Sequence, residues 1–273
     1  MLPISGFLAS PSRYSLFSTI VGEGGLSVSL KQAYGAEPRQ RLDVYAPAPG
    51  RRATPAAALF LYGGSWRRGS RSCYGFVGAA LAAQGIATAV ADYRLFPDVR
   101  WPAFQEDAAA AFTWVHRHIA FGGARPVVVI GHSAGAHMAA LLASDRRWLG
   151  AIRPDGLVGI SGPYNFEPTH WPTTRHIFAT AATINEPRPI AHVGPGLPPA
   201  LFMHGGADGA VDPANSLAMA RAWQTAGGTA EVEIFRGLDH RQPITAFARP
   251  LRRTAPVLAR TCAFVEAVTG RHK

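Results

Sequence analysis

Val127-Val-Val-Ile-Gly-His-Ser-Ala-Gly135 reads as a strand, a tight turn and the first residues of a helix. The β-branched run from Val127 to Ile130 suits a strand buried on both faces. Gly131 and Gly135 let the backbone crowd around Ser133, and Ala134 to Ser144 continues as a helix. A serine on such a turn is held with its hydroxyl outward at the carboxyl end of a sheet, where a nucleophile is presented. Read blandly, the same segment is a glycine-rich turn with a serine cap. The strand before it and the helix after it favour the nucleophile.

The surrounding chain repeats this strand-then-helix pattern. Short apolar runs at Ala57 to Tyr62, Ile86 to Ala91, Leu157 to Ile160 and Ala200 to Met203 match Val127 to Ile130. Helical stretches at Tyr74 to Gln84, Pro102 to His118, Ala134 to Ser144, Pro213 to Ala226 and within Pro256 to Val268 supply crossovers for a parallel sheet. Gly85, Gly122 and Gly227 fall where helices should stop. Before them, Leu26 to Tyr34 and Arg41 to Tyr45 alternate apolar with polar residues, as an antiparallel hairpin at a sheet edge would. Ala230 to Phe235 alternates in the same way and suits the other edge. The reading is an α/β fold with a mostly parallel sheet of about eight strands and helices on both faces.

At 273 residues with 48% hydrophobic content, the chain is long enough for one large core, and 1–273 is expected to form a single domain. Residues 1–25 are expected to be an irregular N-terminal segment. The stretch 162–199 lacks periodicity and carries Tyr164, Phe166, His170, Trp171 and Phe178, so it is a candidate lid or pocket segment. Two cysteines, Cys73 and Cys262, exclude a disulfide-stapled scaffold and a four-cysteine zinc site. His116 and His118 stand two apart on a helix and face different ways, so no metal site is expected.

The formal charge of +10 raises the question of a nucleic-acid or anionic-membrane partner. The arginines are dispersed from Arg13 to Arg271 without an aromatic-interleaved basic face, which argues for an ordinary basic surface. No stretch approaches twenty uninterrupted apolar residues, and Met1 to Ser10 lacks a basic leader. A cytoplasmic location without nucleic-acid partner or integral membrane segment is the expectation.

A serine hydroxyl needs a base to take its proton, and the base needs a carboxylate to orient it. After the elbow these are expected in the order acid, then histidine. The run Ala200 to Met203 leads into His204-Gly-Gly-Ala-Asp208, and Ala230 to Phe235 leads into Arg236-Gly-Leu-Asp-His240. Asp212 rivals Asp208, but it precedes Pro213 and has a ready explanation as a helix cap. His170, His176 and His192 precede both acids, and His204 lies too near its strand to reach forward. Tyr62-Gly-Gly-Ser-Trp66 follows a neighbouring strand, and the N–H groups of Gly64, Ser65 and Ala134 could converge on a developing oxyanion.

Tyr62 to Trp66, Asp92-Tyr-Arg-Leu95, Gly131 to Gly135, His204 to Asp208 and Gly237 to His240 resemble, in order and spacing, the α/β-hydrolase superfamily. The chain is similar over about Arg41 to Val268 to its carboxylesterase and lipase branch with a His-Gly-Gly-x-Trp oxyanion motif. That branch includes kynurenine formamidase-like and BD-FAE-like esterases. The resemblance implies a Ser133, Asp208, His240 triad and no cofactor. One departure is that Tyr62 stands where the family usually has histidine, which puts the hydrogen bonds around the loop in question. Asp92 and Arg94 are read as a structural pair ordering nearby loops. Trp66, Tyr164, Phe166 and Trp171 are candidate pocket residues.

The function expected is a serine carboxylesterase for small, short-chain esters, whose rate rises with pH as an imidazole loses its proton near about 6.5. An arylformamidase, a lysophospholipase and a sugar-acetate esterase share the mechanism and differ in substrate. An inactive hydrolase scaffold that binds anionic partners is the alternative of another class.

Overall fold

The computed structural model describes residues 25–270, so the expected irregular segment 1–25 lies, Gly25 apart, outside the described residues. Eight strands form one sheet: β1 (Leu26–Ala33), β2 (Arg41–Pro47), β3 (Ala57–Leu61), β4 (Ala87–Ala91), β5 (Val127–His132), β6 (Gly156–Ile160), β7 (Ala200–Gly205) and β8 (Ala230–Phe235). Their spatial order is β1-β2-β4-β3-β5-β6-β7-β8. β1 and β2 pair antiparallel, β2 lies antiparallel to β4, and every pairing from β4 to β8 is parallel.

The apolar runs read as doubly buried strands are that: every residue of β3, β5, β6 and β7 is buried. β1, with Val28 and Leu30 exposed, and β8, with Val232 and Ile234 exposed, are the edges. β5 continues two residues beyond the expected run, through Gly131 and His132, so the strand delivers the chain directly to Ser133.

The helices are α1 (Gly75–Ala83), α2 (Ala103–His118), α3 (Ala134–Ser144), α4 (Ala214–Thr225), α5 (Gln242–Thr245) and α6 (Val257–Gly270). The short α5 after His240 has no counterpart among the expected helices. Gly85, Gly122 and Gly227 all adopt positive φ after a helix end, which glycine tolerates best. β4 lies on one side of β3 and β5 on the other, and right-handed crossovers put helices that move in opposite directions on opposite faces. α1 therefore lies on one face, where it packs with α6, and α2 on the other, where it packs with α3. The loops that leave the neighbouring strands β3 and β5 part at this point, and the crevice between them is where open α/β sheets place their ligands.

Candidate active site

Ser133 occupies the turn between β5 and α3 with φ 54° and ψ −121°. A non-glycine residue held there stores of order 1–3 kcal/mol of strain. The neighbours explain how it is held. A Cβ on Gly131 would come within 2.3 Å of the Gly135 carbonyl oxygen, and one on Gly135 within 2.0 Å of the Leu61 oxygen. The Ser133 N–H donates to the Ile160 carbonyl at 2.9 Å, which ties the turn to β6.

The β7 and β8 loops bring the other two side chains in. The Gly206 N–H donates to the Phe235 carbonyl at 2.8 Å and the Ala207 N–H to the Leu238 carbonyl at 2.9 Å, so the two loops are stitched together. His240 Nε2 stands 2.9 Å from Ser133 Oγ, and His240 Nδ1 stands 2.7 Å from Asp208 Oδ2. A carboxylate can only accept, so Nδ1 carries the proton and Nε2 is left to accept from the serine hydroxyl. Ser133 is 8% exposed and the His240 side chain 20%, whereas the Asp208 side chain has no exposure.

Burial pushes the Asp208 carboxyl upward. The Val211 N–H, the His240 ring and the Ala210 N–H outweigh it and hold the group below the usual carboxylate range. Asp212, the rival acid, accepts the Ala214 N–H at 2.8 Å at the start of α4, as a helix cap does. His204 does not reach the serine, but it does reach Asp208: its Nε2 lies 3.1 Å from the same Oδ2 that His240 uses. The sequence reading missed that contact.

His132, next to the serine, is another residue that pattern reading passed over. Burial first, and the neighbouring His240 ring second, lower its proton affinity to a pKa of about 3. Its Nε2 is 3.1 Å from the His240 carbonyl oxygen, so the neutral ring donates there and ties the β5 turn to the β8 loop.

Gly63 backs directly onto Ser133, for a Cβ there would stand 2.8 Å from the Ser133 Cβ and 2.7 Å from His132 Nδ1. Gly64 has φ 143°, and its carbonyl accepts the N–H groups of Arg67 at 3.1 Å and Arg68 at 3.2 Å. Ser65 and Trp66 follow at φ 54° and 56°. Among the described residues none accepts a hydrogen bond from the Gly64, Ser65 or Ala134 N–H.

Tyr62 supports this loop from below. Its ring stacks between Tyr93 at 4.6 Å and Tyr74 at 5.4 Å, and its hydroxyl donates to Asp92 Oδ1 at 3.0 Å while accepting from Arg39 at 2.9 Å. The expected Asp92–Arg94 pair does not form. Arg94 binds Asp107 with Nε and Nη2, whereas Asp92 takes the side chain and the N–H of Arg71.

Of the candidate pocket residues, the structure brings Trp66 and Phe166 together, stacked at 6.1 Å with 7° between their planes. His137 at 5.0 Å and Phe178 at 4.9 Å meet Trp66 edge-on. Tyr164 is fully buried elsewhere, over Gly159 and against Phe202 at 5.2 Å. Trp171 is 57% exposed and outside the cluster. The segment 162–199 forms no strand, and it packs through the Ile177 carbonyl onto Trp101 N–H at 2.9 Å and through Thr173 onto Arg67 at 2.9 Å. Among the described residues, no group of three or more His, Cys, Asp or Glu side chains could hold a metal ion, and no helix is long and apolar enough to cross a membrane. Cys73 and Cys262 are not joined to each other.

This sheet order, with a strained serine after β5, defines an α/β-hydrolase fold. The chain belongs to the prolyl oligopeptidase family, whose model matches residues 103–272, more than half its length. A second family model, BD-FAE, matches residues 42–148. The esterase LipC of Mycobacterium tuberculosis is 32% identical over 64% of this chain and 50% of its own. An isoprenylcysteine alpha-carbonyl methylesterase of Arabidopsis thaliana is 29% identical over 76% of this chain and 55% of its own. The chain thus spans about half the length of the curated relatives it matches. Among solved structures, esterase B from Lactobacillus rhamnosis superposes with a TM-score of 0.79 at 21% identity, covering 98% of this chain and 94% of that one. A hormone-sensitive lipase from a metagenome library gives 0.76 at 20% identity, covering 98% and 92%. Likenesses at that identity speak to the fold.

Proposed function

We propose that the chain is a serine carboxylesterase that cleaves small esters with short acyl chains through an acyl-enzyme. The observation that carries this reading is the unbroken contact from Ser133 Oγ to His240 Nε2 and from His240 Nδ1 to Asp208. Ser133 Oγ attacks the ester carbonyl carbon as His240 Nε2 takes its proton. The carbonyl oxygen, now an alkoxide, is met by the N–H groups of Gly64, Ser65 and Ala134 and by the positive end of α3. Collapse of the intermediate breaks the bond to the alcohol, which leaves with the proton from His240. Water then attacks the acyl carbon as His240 takes its proton, and collapse of this second intermediate breaks the bond to Ser133 Oγ, which recovers its proton from His240 as the acid departs. Asp208 accepts the Nδ1–H throughout and stabilises the imidazolium. Each of these steps uses protein groups and water.

The rings of Trp66, Phe166, Phe178 and His137 pack against one another beside the first turn of α3, and this filled wall favours short acyl groups. The names of the mycobacterial and plant relatives support ester chemistry, and the plant names put prenylcysteine methyl esters among the substrates to try. The proposed setting is cytoplasmic, where Cys73 and Cys262 would stay reduced. The proposed fold unit is one domain, with 162–199 bordering the pocket.

The experiment is hydrolysis of p-nitrophenyl esters from acetate to palmitate, together with labelling by a fluorophosphonate. Acetate or butyrate should be preferred by at least about tenfold in kcat/KM over palmitate. A flat or reversed profile would contradict the short-chain assignment. The prolyl oligopeptidase match favours a second reading, amide cleavage by the same residues, and a dipeptidyl p-nitroanilide measures it. N-formyl aryl amides, a lysophospholipid and a sugar acetate complete the panel.

A further inference from the structure

Asp208 holds more hydrogen bonds than a triad carboxylate needs in order to orient one imidazole. Oδ1 accepts the N–H groups of Ala210 and Val211, each at 2.9 Å. Oδ2 accepts His240 Nδ1 at 2.7 Å and also faces His204 Nε2 at 3.1 Å. His204 is the next-to-last residue of β7 and is completely buried.

Its tautomer follows from its neighbours. Nε2 faces two oxygens, Asp208 Oδ2 and the Val211 carbonyl at 3.0 Å, and both can only accept. A lone pair pointed at them would be repelled, so Nε2 carries the hydrogen and shares it between them. Nδ1 then accepts from the hydroxyl of Ser216, 2.7 Å away and completely buried on α4. A second proton on the ring is disfavoured, because burial lowers its affinity even though the Val211 carbonyl and Asp208 oppose that. The ring is a fixed neutral donor, locked from behind by a helix.

From this geometry we infer that His204, with Ser216 behind it, is a positioning residue for the proposed triad. It keeps Asp208 Oδ2 aimed at His240 and draws off part of that oxygen's negative charge. The inference rests on the esterase reading above, for it assigns a role within that site. Two effects should follow. A carboxylate freed of this donor can swing, and misplacing a catalytic group by about an ångström costs up to about a hundredfold. The same carboxylate, left with more charge, would stabilise a protonated imidazole partner more strongly, so higher pH would be needed for the active neutral form. The charged and titratable groups near His240 are Asp208 and His204 on the β7 side, His132 beneath it with ring centroids 5.1 Å apart, and its chain neighbours Asp239 and Arg241. Asp239 is turned away, accepting the N–H groups of Arg241 and Gln242, and burial keeps His132 neutral.

The test compares His204→Met, which fills the space without a donor, with His204→Gln, whose side-chain N–H can occupy the place of Nε2. With p-nitrophenyl acetate, the methionine variant should lose about ten- to a hundredfold in kcat with KM changed by less than about threefold. Its acid limb in kcat/KM should move to higher pH. The glutamine variant should recover most of both changes. Nitrogen-15 imidazole spectra of the unmodified protein supply a readout that needs no variant: His204 should be a neutral Nε2–H tautomer at pH 7 and above. A methionine variant indistinguishable from the parent, a folded glutamine variant as impaired as methionine, or an Nδ1–H tautomer would overturn the inference. Failure of the esterase reading looks different, because then the parent itself neither turns over the panel nor takes up fluorophosphonate. The spectra would still decide the hydrogen bond in that case.

Discussion

Tyr62 and Asp92, at the ends of the neighbouring strands β3 and β4, are joined by a 3.0 Å hydrogen bond from the tyrosine hydroxyl to Oδ1. This chain thus anchors the start of the Gly63-Gly64 loop with a phenol. The same carboxylate takes the Arg71 N–H at 2.7 Å and the Arg71 side chain, so the loop after β3 and the segment before α1 hang from one acid. Burial raises the proton affinity of the Tyr62 hydroxyl, and the adjacent Asp92 charge raises it further, which keeps the phenol a donor at any physiological pH.

Tyr62→Phe leaves the ring stack intact and deprives a buried carboxylate of a donor. Loss of about 1–3 kcal/mol in urea unfolding is expected, with kcat reduced by less than about tenfold because the loop amides remain. A drop in kcat of a thousandfold would mean that the hydroxyl acts on substrate.

Gly63→Ala probes the contact between this loop and Ser133. The new methyl would stand 2.8 Å from the Ser133 Cβ, closer than atoms tolerate, so the loop or the serine must shift. The fold should persist while kcat falls by about a hundredfold or more. Circular dichroism and p-nitrophenyl acetate turnover measure the two parts.

Asp208 and Asp212 should separate cleanly. Asp208→Asn is expected to reduce kcat by about 10⁴, the effect seen where a triad acid becomes an amide and the imidazole takes the wrong tautomer. Asp212→Ala removes only the bond to Ala214 N–H, so it should cost about 1 kcal/mol of stability and leave kcat within about twofold. Equal losses from the two would contradict the assignment.

Two buried histidines make stability fall in acid. Burial lowers the pKa of both His132 and His137 to about 3, against about 6.5 in the unfolded chain. Above pH 6.5 neither state binds the protons and these rings have no effect. Between 6.5 and 3 the unfolded chain binds them and the folded one does not, so each ring removes up to about 1.4 kcal/mol of stability per pH unit. His137→Phe should reduce that slope by one histidine's share. At neutral pH it should cost about 1–3 kcal/mol, since it strips the buried Pro187 carbonyl of its 2.6 Å donor. Urea titrations at pH 7.5, 6 and 5 measure both effects.

The parallel sheet was legible because doubly buried strands and the helices between them carry strong periodic signals: Val127 to Ile130 and Ala134 to Ser144 were read within two residues of their observed ends. Asp208 and His240 could be singled out because each follows a strand end, and the two side chains are in contact. What escaped reading depends on direction across space. Asp92 and Arg94 are two apart in sequence, yet each finds its partner on another segment. The reach of His204 to Asp208 is set by a turn at the end of β7, and hydropathy carries no trace of it. Among the aromatic residues, composition could not distinguish Tyr164, packed over Gly159, from Phe166, stacked on Trp66.

The most direct measurement is Ser133→Ala compared with the parent on p-nitrophenyl acetate, alongside mass-spectrometric mapping of the fluorophosphonate adduct. The expected result is a loss of several orders of magnitude, approaching about 10⁶ as in well-studied triads, with the adduct in the parent on Ser133 alone. Retention of most turnover by the alanine variant, or an adduct on another residue, would contradict the assignment of the nucleophile.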